Sequence, residues 1–360
     1  MQNDRRAERR AERLRERRQE LRREVRRDRR VNNNVARNRN RNIRVNDWER
    51  RQRQLRRQAR RDYRNDLRFF DRAERINRRN RQIYYNDNRY FVVNPWVDRF
   101  GWRANAIDRF ELNNGWNETV VIRPNGVRVV TIADDRGIPI RRYREVPGAA
   151  PVTLFNNLPT WWGNDSDVVI DYAPPRERYI VDQSIAAPEV VYEAVTAEPV
   201  QELDRSFTLN QVLANENVRD YMPRVDVDTI TFATGSAQVA DSQIDQLENI
   251  GVAIEQAVAD NPNEVYLIEG HTDAVGSDLY NLELSDERAS SVAEVLTEYF
   301  EIPPENLVTQ GFGETYLKVD TQGASAANRR VTVRRITPLL STDDEIAGYA
   351  DDEAVGTTAQ

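Results

Sequence analysis

Val265-Tyr266-Leu267-Ile268, then Gly270-His271-Thr272-Asp273-Ala274-Val275-Gly276, then Leu284-Ser285-Asp286-Glu287-Arg288-Ala289 decide how the C-terminal third of this chain folds. The first piece is a short apolar run of the kind a buried central strand needs. The second is a glycine-bounded polar turn that ends it. The third opens an amphipathic helix from Ser285 to about Phe300, because Leu284, Arg288, Val292 and Leu296 recur every fourth residue.

Working outward, Thr229-Ile230-Thr231-Phe232 reads as a strand, and Ile244, Leu247, Ile250, Ile254 and Val258 mark one face of a helix over about 241–259. Leu307-Val308-Thr309-Gln310 and Arg330-Val331-Thr332-Val333-Arg334 read as two further strands. Residues 223–338 therefore predict a β-α-β-α-β-β sandwich, helices on a mixed sheet, in a chain of α+β class.

Two charges in this domain go beyond what packing requires. The spacing by four sets Arg288 on the buried stripe, and a helix beginning at Ser285 puts it in the first turn, where the helix dipole disfavours a cation. A buried guanidinium needs an anion, because leaving it unpaired is strongly destabilising. Asp273 is the candidate, just past the carboxyl end of the strand at 265–268, in the crevice where open α/β sheets bind ligands. Either the two pair with each other and staple loop to helix, or both serve a ligand.

The rest of the 360 residues divides by composition. Residues 1–90 hold 33 Arg against 14 Asp and Glu, a basic head on a chain whose net charge is −6. Within 1–30, acids at Glu8, Glu12, Glu16, Glu20, Glu24 and Asp28 alternate with arginines at the spacing of a salt-bridged helix, and Ala7, Ala11, Leu14, Leu21 and Val25 trace a thin coiled-coil seam. Residues 31–90 are rich in Asn and Arg with scattered aromatics, a composition for disorder or for a helix around 48–75. Residues 91–146 read as an antiparallel meander, with Pro124-Asn125-Gly126 and Asp134-Asp135-Arg136-Gly137 as turns. Residues 147–222 form a semi-ordered connector in which Thr208 and Gln211 make a capping box, and 339–360 an acidic flexible tail.

Composition also excludes chemistry. There is no cysteine, hence no disulfide and no thiolate nucleophile or ligand, and His271 is the only histidine, hence no multi-histidine metal site. No nucleophile stands with a base and no paired carboxylates carry a recognisable signature, so no catalytic residue, metal or cofactor is assigned. No apolar run approaches the roughly 18 residues of a membrane helix. A cytoplasmic chain, or one whose leader preceded Gln2, fits that pattern.

Six elements in order carry a family resemblance: Ile230-Thr231-Phe232 with Gly235-Ser236, Gly270-His271-Thr272-Asp273 with Gly276-Ser277, Tyr280-Asn281, Leu284-Ser285 with Arg288-Ala289, Gly311-Phe312-Gly313-Glu314, and Asn328-Arg329-Arg330-Val331. Together they resemble the OmpA-like peptidoglycan-binding domain of Gram-negative envelope proteins. The upstream texture is similar to larger OmpA-family proteins of alphaproteobacteria. The resemblance implies a non-catalytic domain gripping the diaminopimelate of the peptidoglycan stem peptide, in the periplasm at the outer membrane and cell wall. It implies that Asp273 takes the ligand ammonium and Arg288 its carboxylate. Asn281 then orients the loop, Thr272 and the loop from Thr234 to Ser236 line the pocket, Arg329 is a further binding candidate, and His271 supports the loop. Gly313-Glu314 is followed by Thr315-Tyr316-Leu317-Lys318 in place of the family's proline-containing turn. The arginine-rich head would contact outer-membrane lipid, lipopolysaccharide phosphates or an envelope protein. The alternative is a polyanion or nucleic-acid adaptor acting through that head.

Overall fold

The computed structural model describes residues 73–78, 81–86, 89–93, 97–112, 115–157, 180–203, 206–227, 230, 232 and 235–341. The expected arginine-rich helix and coiled-coil seam of 1–30, the helix around 48–75 up to residue 72, and the acidic tail beyond 341 lie outside them. The described residues fall into two units, one drawn from within 73–157, 201–221 and 336–341, the other from within 180–200 and 222–335.

The first unit begins with strands where helix or disorder was expected. β1 (Glu74–Arg78), β2 (Arg81–Asn86) and β3 (Arg89–Val93) form an antiparallel sheet in that order. Register explains it: Ile76 faces Ile83 and Ile83 faces Val92, so a period-two pattern hidden among arginines builds one apolar row. Ile83 and Val92 are buried.

A five-stranded antiparallel meander follows, β4 (Ala106–Glu111), β5 (Asn117–Ile122), β6 (Arg128–Ala133), β7 (Pro139–Glu145) and β8 (Val152–Asn156), each strand beside its sequence neighbour. Val120 faces Val130 and Val121 faces Val129 at its centre, all buried. In the Pro124-Asn125-Gly126 turn Gly126 alone takes a positive φ, 78°, while its N–H donates to the Arg123 carbonyl and Arg123 N–H to that of Val127. That is a type I turn closed by a glycine bulge. The capping box is present: the Thr208 hydroxyl accepts from Gln211 N–H, and the Gln211 side chain accepts from Thr208 N–H. The helix it opens stops at Ala214, short of Tyr221, because Asn215 caps a second short helix over Glu216–Arg219.

The second unit is a five-stranded mixed sheet. In chain order its elements are β9 (Ile180–Asp182), α1 (Pro188–Thr196), β10 (Arg224–Asp226), α2 (Glu248–Asp260), β11 (Tyr266–Gly270), α3 (Asp278–Phe300), β12 (Leu307–Gly311) and β13 (Val331–Arg335). The spatial order is β12-β11-β13-β10-β9. β11 runs parallel to β12 and β9 to β10, while β13 is antiparallel to both β11 and β10. From β10 onward the succession is β-α-β-α-β-β. Its first paired strand lies at Arg224–Asp226, upstream of the expected 229–232. Residues 180–196, read as connector, supply an edge strand and a helix to this sheet.

Alternation along the strands splits the two faces. Val225, Tyr266, Ile268, Val331 and Val333 join Ile250, Ile254, Val292, Leu296 and Phe300 in one core under the helices. The opposite face is polar yet buried, and its charges are paired. Arg334 Nε lies 3.0 Å from Glu269, whose carboxylate also accepts from the Thr332 hydroxyl. Arg224 and Lys318 hold Asp226 at 2.9 and 2.8 Å.

α3 starts seven residues before the expected Ser285. Ser277 is its N-cap, accepting from Tyr280 N–H. Ser285 sits mid-helix, its hydroxyl donating to the Leu282 carbonyl and accepting from Gly313 N–H, which frees it from any capping role. The helix-dipole argument for Arg288 therefore fails; the burial argument stands. Gly270 and Gly311, at the carboxyl ends of β11 and β12, let the helix press onto the sheet: a methyl at Gly270 would meet the Ser285 carbonyl and one at Gly311 the Asp286 amide.

Candidate functional site

The candidate residues gather where β11 ends, against the middle of α3. Asp273, three residues past the strand, is largely buried. Its Oδ2 accepts from Arg329 Nη1 at 2.6 Å and from Ser325 N–H at 3.2 Å, and its Oδ1 from Val275 N–H at 3.4 Å. Burial pushes the carboxyl up, but the hydrogen bonds from Arg329 and the two amides outweigh that and hold it below the ordinary carboxylate range.

Arg288 is 3% exposed. Its guanidinium lies 4.8 Å from the centre of the Phe232 ring, a cation–π contact, and Nε donates to the Ser236 carbonyl at 3.2 Å. Nη1 is buried with no hydrogen-bond partner among the described residues. Burial lowers the guanidinium pKa, the charge of Arg329 lowers it further, and Asp273 raises it. Asp273 thus acts on Arg288 through space, but its ion pair is with Arg329. Of the two readings left open by the sequence, a direct Asp273–Arg288 staple is not what forms.

The other candidates are placed as follows. Asn281 is buried and bridges the loop: its Nδ2 donates to the Asp273 carbonyl at 3.3 Å and to Glu314 Oε2 at 2.6 Å. The Thr272 backbone N–H donates to the Gly313 carbonyl, while its buried hydroxyl has no hydrogen-bond partner among the described residues. Arg329 holds the acid. Thr234 lies outside the described residues. His271 is buried against Phe312, ring centres 5.8 Å apart, with Nε2 3.6 Å from the Glu269 carboxylate. Its pKa is lowered to about 4, first by burial and then by the charge of Arg330. It is a neutral support for the loop.

Phe232, Ser325 and Glu314 were not assigned to the site from sequence. Phe232 was legible as part of the Ile230-Thr231-Phe232 element, where it reads only as a strand residue. Ser325 contributes a backbone amide, which leaves no mark in residue type. Among the described residues no group of three or more His, Asp and Glu could hold a metal, and no helix is long and apolar enough to cross a membrane.

The OmpA family model matches residues 231–330, the stretch that carries this pocket. Outer membrane porin F of Pseudomonas aeruginosa is 32% identical over 110 residues, 30% of this chain and 30% of that protein. The putative lipoprotein YfiB of Escherichia coli is 44% identical over 73 residues, 20% of this chain and 46% of that one. The chain thus spans less than half the length of these curated relatives. Among solved structures, the peptidoglycan-associated lipoprotein of Burkholderia pseudomallei is 24% identical over 29% of this chain and 87% of its own, with a TM-score of 0.25. The periplasmic domain of Helicobacter pylori MotB is 15% identical over 38% and 85%, with a TM-score of 0.27.

Proposed function

We propose that this chain, whose residues 231–330 match the OmpA family model, is a non-catalytic peptidoglycan-binding protein that tethers the outer membrane or an envelope assembly to the cell wall. Its ligand is the diaminopimelate of the stem peptide, a zwitterion whose ammonium goes to Asp273 and whose carboxylate goes to Arg288. The observation that carries this reading is the buried Arg288, with Nη1 unpartnered beside an ionised acid that does not neutralise it directly. A buried cation in that state calls for an external anion. Asp273 and Asn281 brace the loop that faces it, and the Thr272 hydroxyl supplies a spare donor and acceptor.

Charge-assisted hydrogen bonds of about 1.5–3 kcal/mol each give a reversible grip, and many stem peptides on one polymer raise the avidity. The test is co-sedimentation with purified sacculi. Asp273→Ala and Arg288→Ala should each lose binding while circular dichroism stays that of the native chain. Arg288→Lys should also bind poorly, because an ammonium cannot make the two-pronged carboxylate contact. Retained binding by all three rejects the pocket. Periplasmic residence, and attachment of the arginine-rich head to lipid, lipopolysaccharide phosphates or an envelope protein, belong to the same proposal. Fractionation of cells expressing the chain tests the former, and vesicle co-flotation the latter.

A further inference from the structure

The pocket carries an imbalance of charge. Arg329 fills Oδ2 of Asp273 through a 2.6 Å bridge, and the Ser325 amide shares that oxygen. Oδ1 carries a single long amide contact from Val275 and keeps lone pairs for a cation. Arg288 Nη1 is buried and has no hydrogen-bond partner among the described residues. The groups that act on the Arg288 guanidinium are Arg329, Asp273 and Tyr280, with Arg329 the strongest. The Glu314 carboxylate accepts from Asn281 Nδ2 at 2.6 Å, and it is not among the groups acting on Arg288. Two guanidiniums therefore share one nearby ionised acid.

Resting on the zwitterion reading above, we infer that Arg329 is a specificity-determining residue, which makes this pocket demand an ionised carboxylate on its ligand and reject the corresponding carboxamide. An incoming carboxylate supplies the second negative charge and an acceptor for the Arg288 guanidinium, whose buried Nη1 lacks one among the described residues. A carboxamide supplies only a neutral oxygen and brings two N–H donors toward a donor-only guanidinium. The difference is that between a charge-assisted and a neutral hydrogen bond, plus an uncompensated buried charge. It corresponds to tenfold or more in affinity, on the order of 1.4 kcal/mol. Arg329 contributes at range, from a side chain 40% exposed and already tied to Asp273, so solvent screens it and its share is a few-fold.

The experiment is calorimetric titration of the full chain with two muropeptides that differ only in whether the diaminopimelate carboxyl is free or amidated. Wild type is expected to prefer the free acid about tenfold or more. Arg329→Gln should bind the acid more weakly and cut the preference about threefold, and Arg329→Lys, which keeps the charge, should retain most of it. Equal binding of both muropeptides by wild type overturns the inference, as does an undiminished preference in Arg329→Gln. If Asp273→Ala and Arg288→Ala bind both ligands as wild type does, the pocket assignment fails instead, so the two failures are distinguishable. Should Arg329→Gln unfold, raising salt from about 0.05 to 0.5 M on wild type decides. The preference must shrink if a screened charge contributes, and a constant preference overturns it.

Discussion

Buried arginines occur in both units, and they are satisfied in different ways. In the meander unit, Arg219 Nη1 donates to the carbonyls of Val212 and Leu213 at the end of a short helix, at 3.1 and 2.9 Å. Arg123 Nη1 donates to the carbonyls of Phe100 and Trp102. Arg142 lies 4.5 and 5.0 Å from the ring centres of Phe100 and Phe155, with Nε on the Thr131 hydroxyl. Each acts as a cross-brace whose cation meets local acceptors. In the C-terminal unit Arg288 has one ring, one carbonyl and a buried Nη1 with no hydrogen bond among the described residues. Arginine richness alone therefore marks nothing; what distinguishes the second region is a guanidinium near a strand-end acid that is itself held by another arginine.

The sharpest way to break this contrast is at the glycines. Gly270→Ala drives a methyl into the Ser285 backbone, so the C-terminal unit should lose about 3 kcal/mol, at the upper end of overpacking costs. In the meander, Gly137 has open space around it and only its φ of 83° to protect, so Gly137→Ala should cost about 1 kcal/mol. Urea unfolding followed by far-UV circular dichroism compares them. Equal losses would mean that helix-to-sheet contact at Gly270 is looser than described.

Acid provides the next test. The folded pKa of His271, about 4, lies below its unfolded value near 6.5, so between these pH values the unfolded chain binds the extra proton. The stability tied to this residue is complete above about pH 6.5 and is lost as pH falls toward 4, by about 3 kcal/mol in all. His271→Gln should flatten that slope of unfolding free energy against pH. An unchanged slope would mean that His271 is not the group responsible.

The arginines themselves give smaller effects of opposite kind. Arg219→Met should destabilise by about 1–3 kcal/mol, because two helix carbonyls lose their donor, and should leave sacculus binding intact. Arg288→Met should leave stability within about 0.5 kcal/mol of wild type, or raise it, because an incompletely paired buried charge is replaced by a thioether of similar length. Its sacculus binding should disappear. Parallel denaturation and co-sedimentation read both variants, and loss of stability in Arg288→Met without loss of binding would invert the contrast.

The C-terminal sandwich was legible because its apolar periods are long: Ile244 to Val258 and Leu284 to Leu296 specify helices, and 265–268 a central strand. Arg288 stood out because it interrupts the apolar stripe of its helix, and Asp273 because it lies just past the carboxyl end of that strand. The start of α3 was misplaced because Ser285-Asp286-Glu287 looks like a cap, while the true cap, Ser277, lies behind a polar first turn with little periodicity. β1 and β2 were hidden because their apolar residues are diluted by Arg and Asn, and only cross-strand register aligns Ile76, Ile83 and Val92. β9 was invisible for a different reason: a three-residue strand gains its stability from the neighbour it joins, and its own sequence holds no period. The Ser325 amide belongs to the same class, since backbone donors are placed by the fold and not by residue type.

One consequence follows from where β9 sits. The chain enters the C-terminal sheet from its N-terminal side through Ile180–Asp182, three residues laid along β10 at the rim farthest from β12. Tension applied from that side would reach this short ladder first. Peeling it away would lengthen the chain by roughly 10 Å, at about 3.3 Å per residue, while β11 and β13 stayed zipped. The sheet would thus have a mechanical fuse on one margin, with Asp273 and Arg288 near the other.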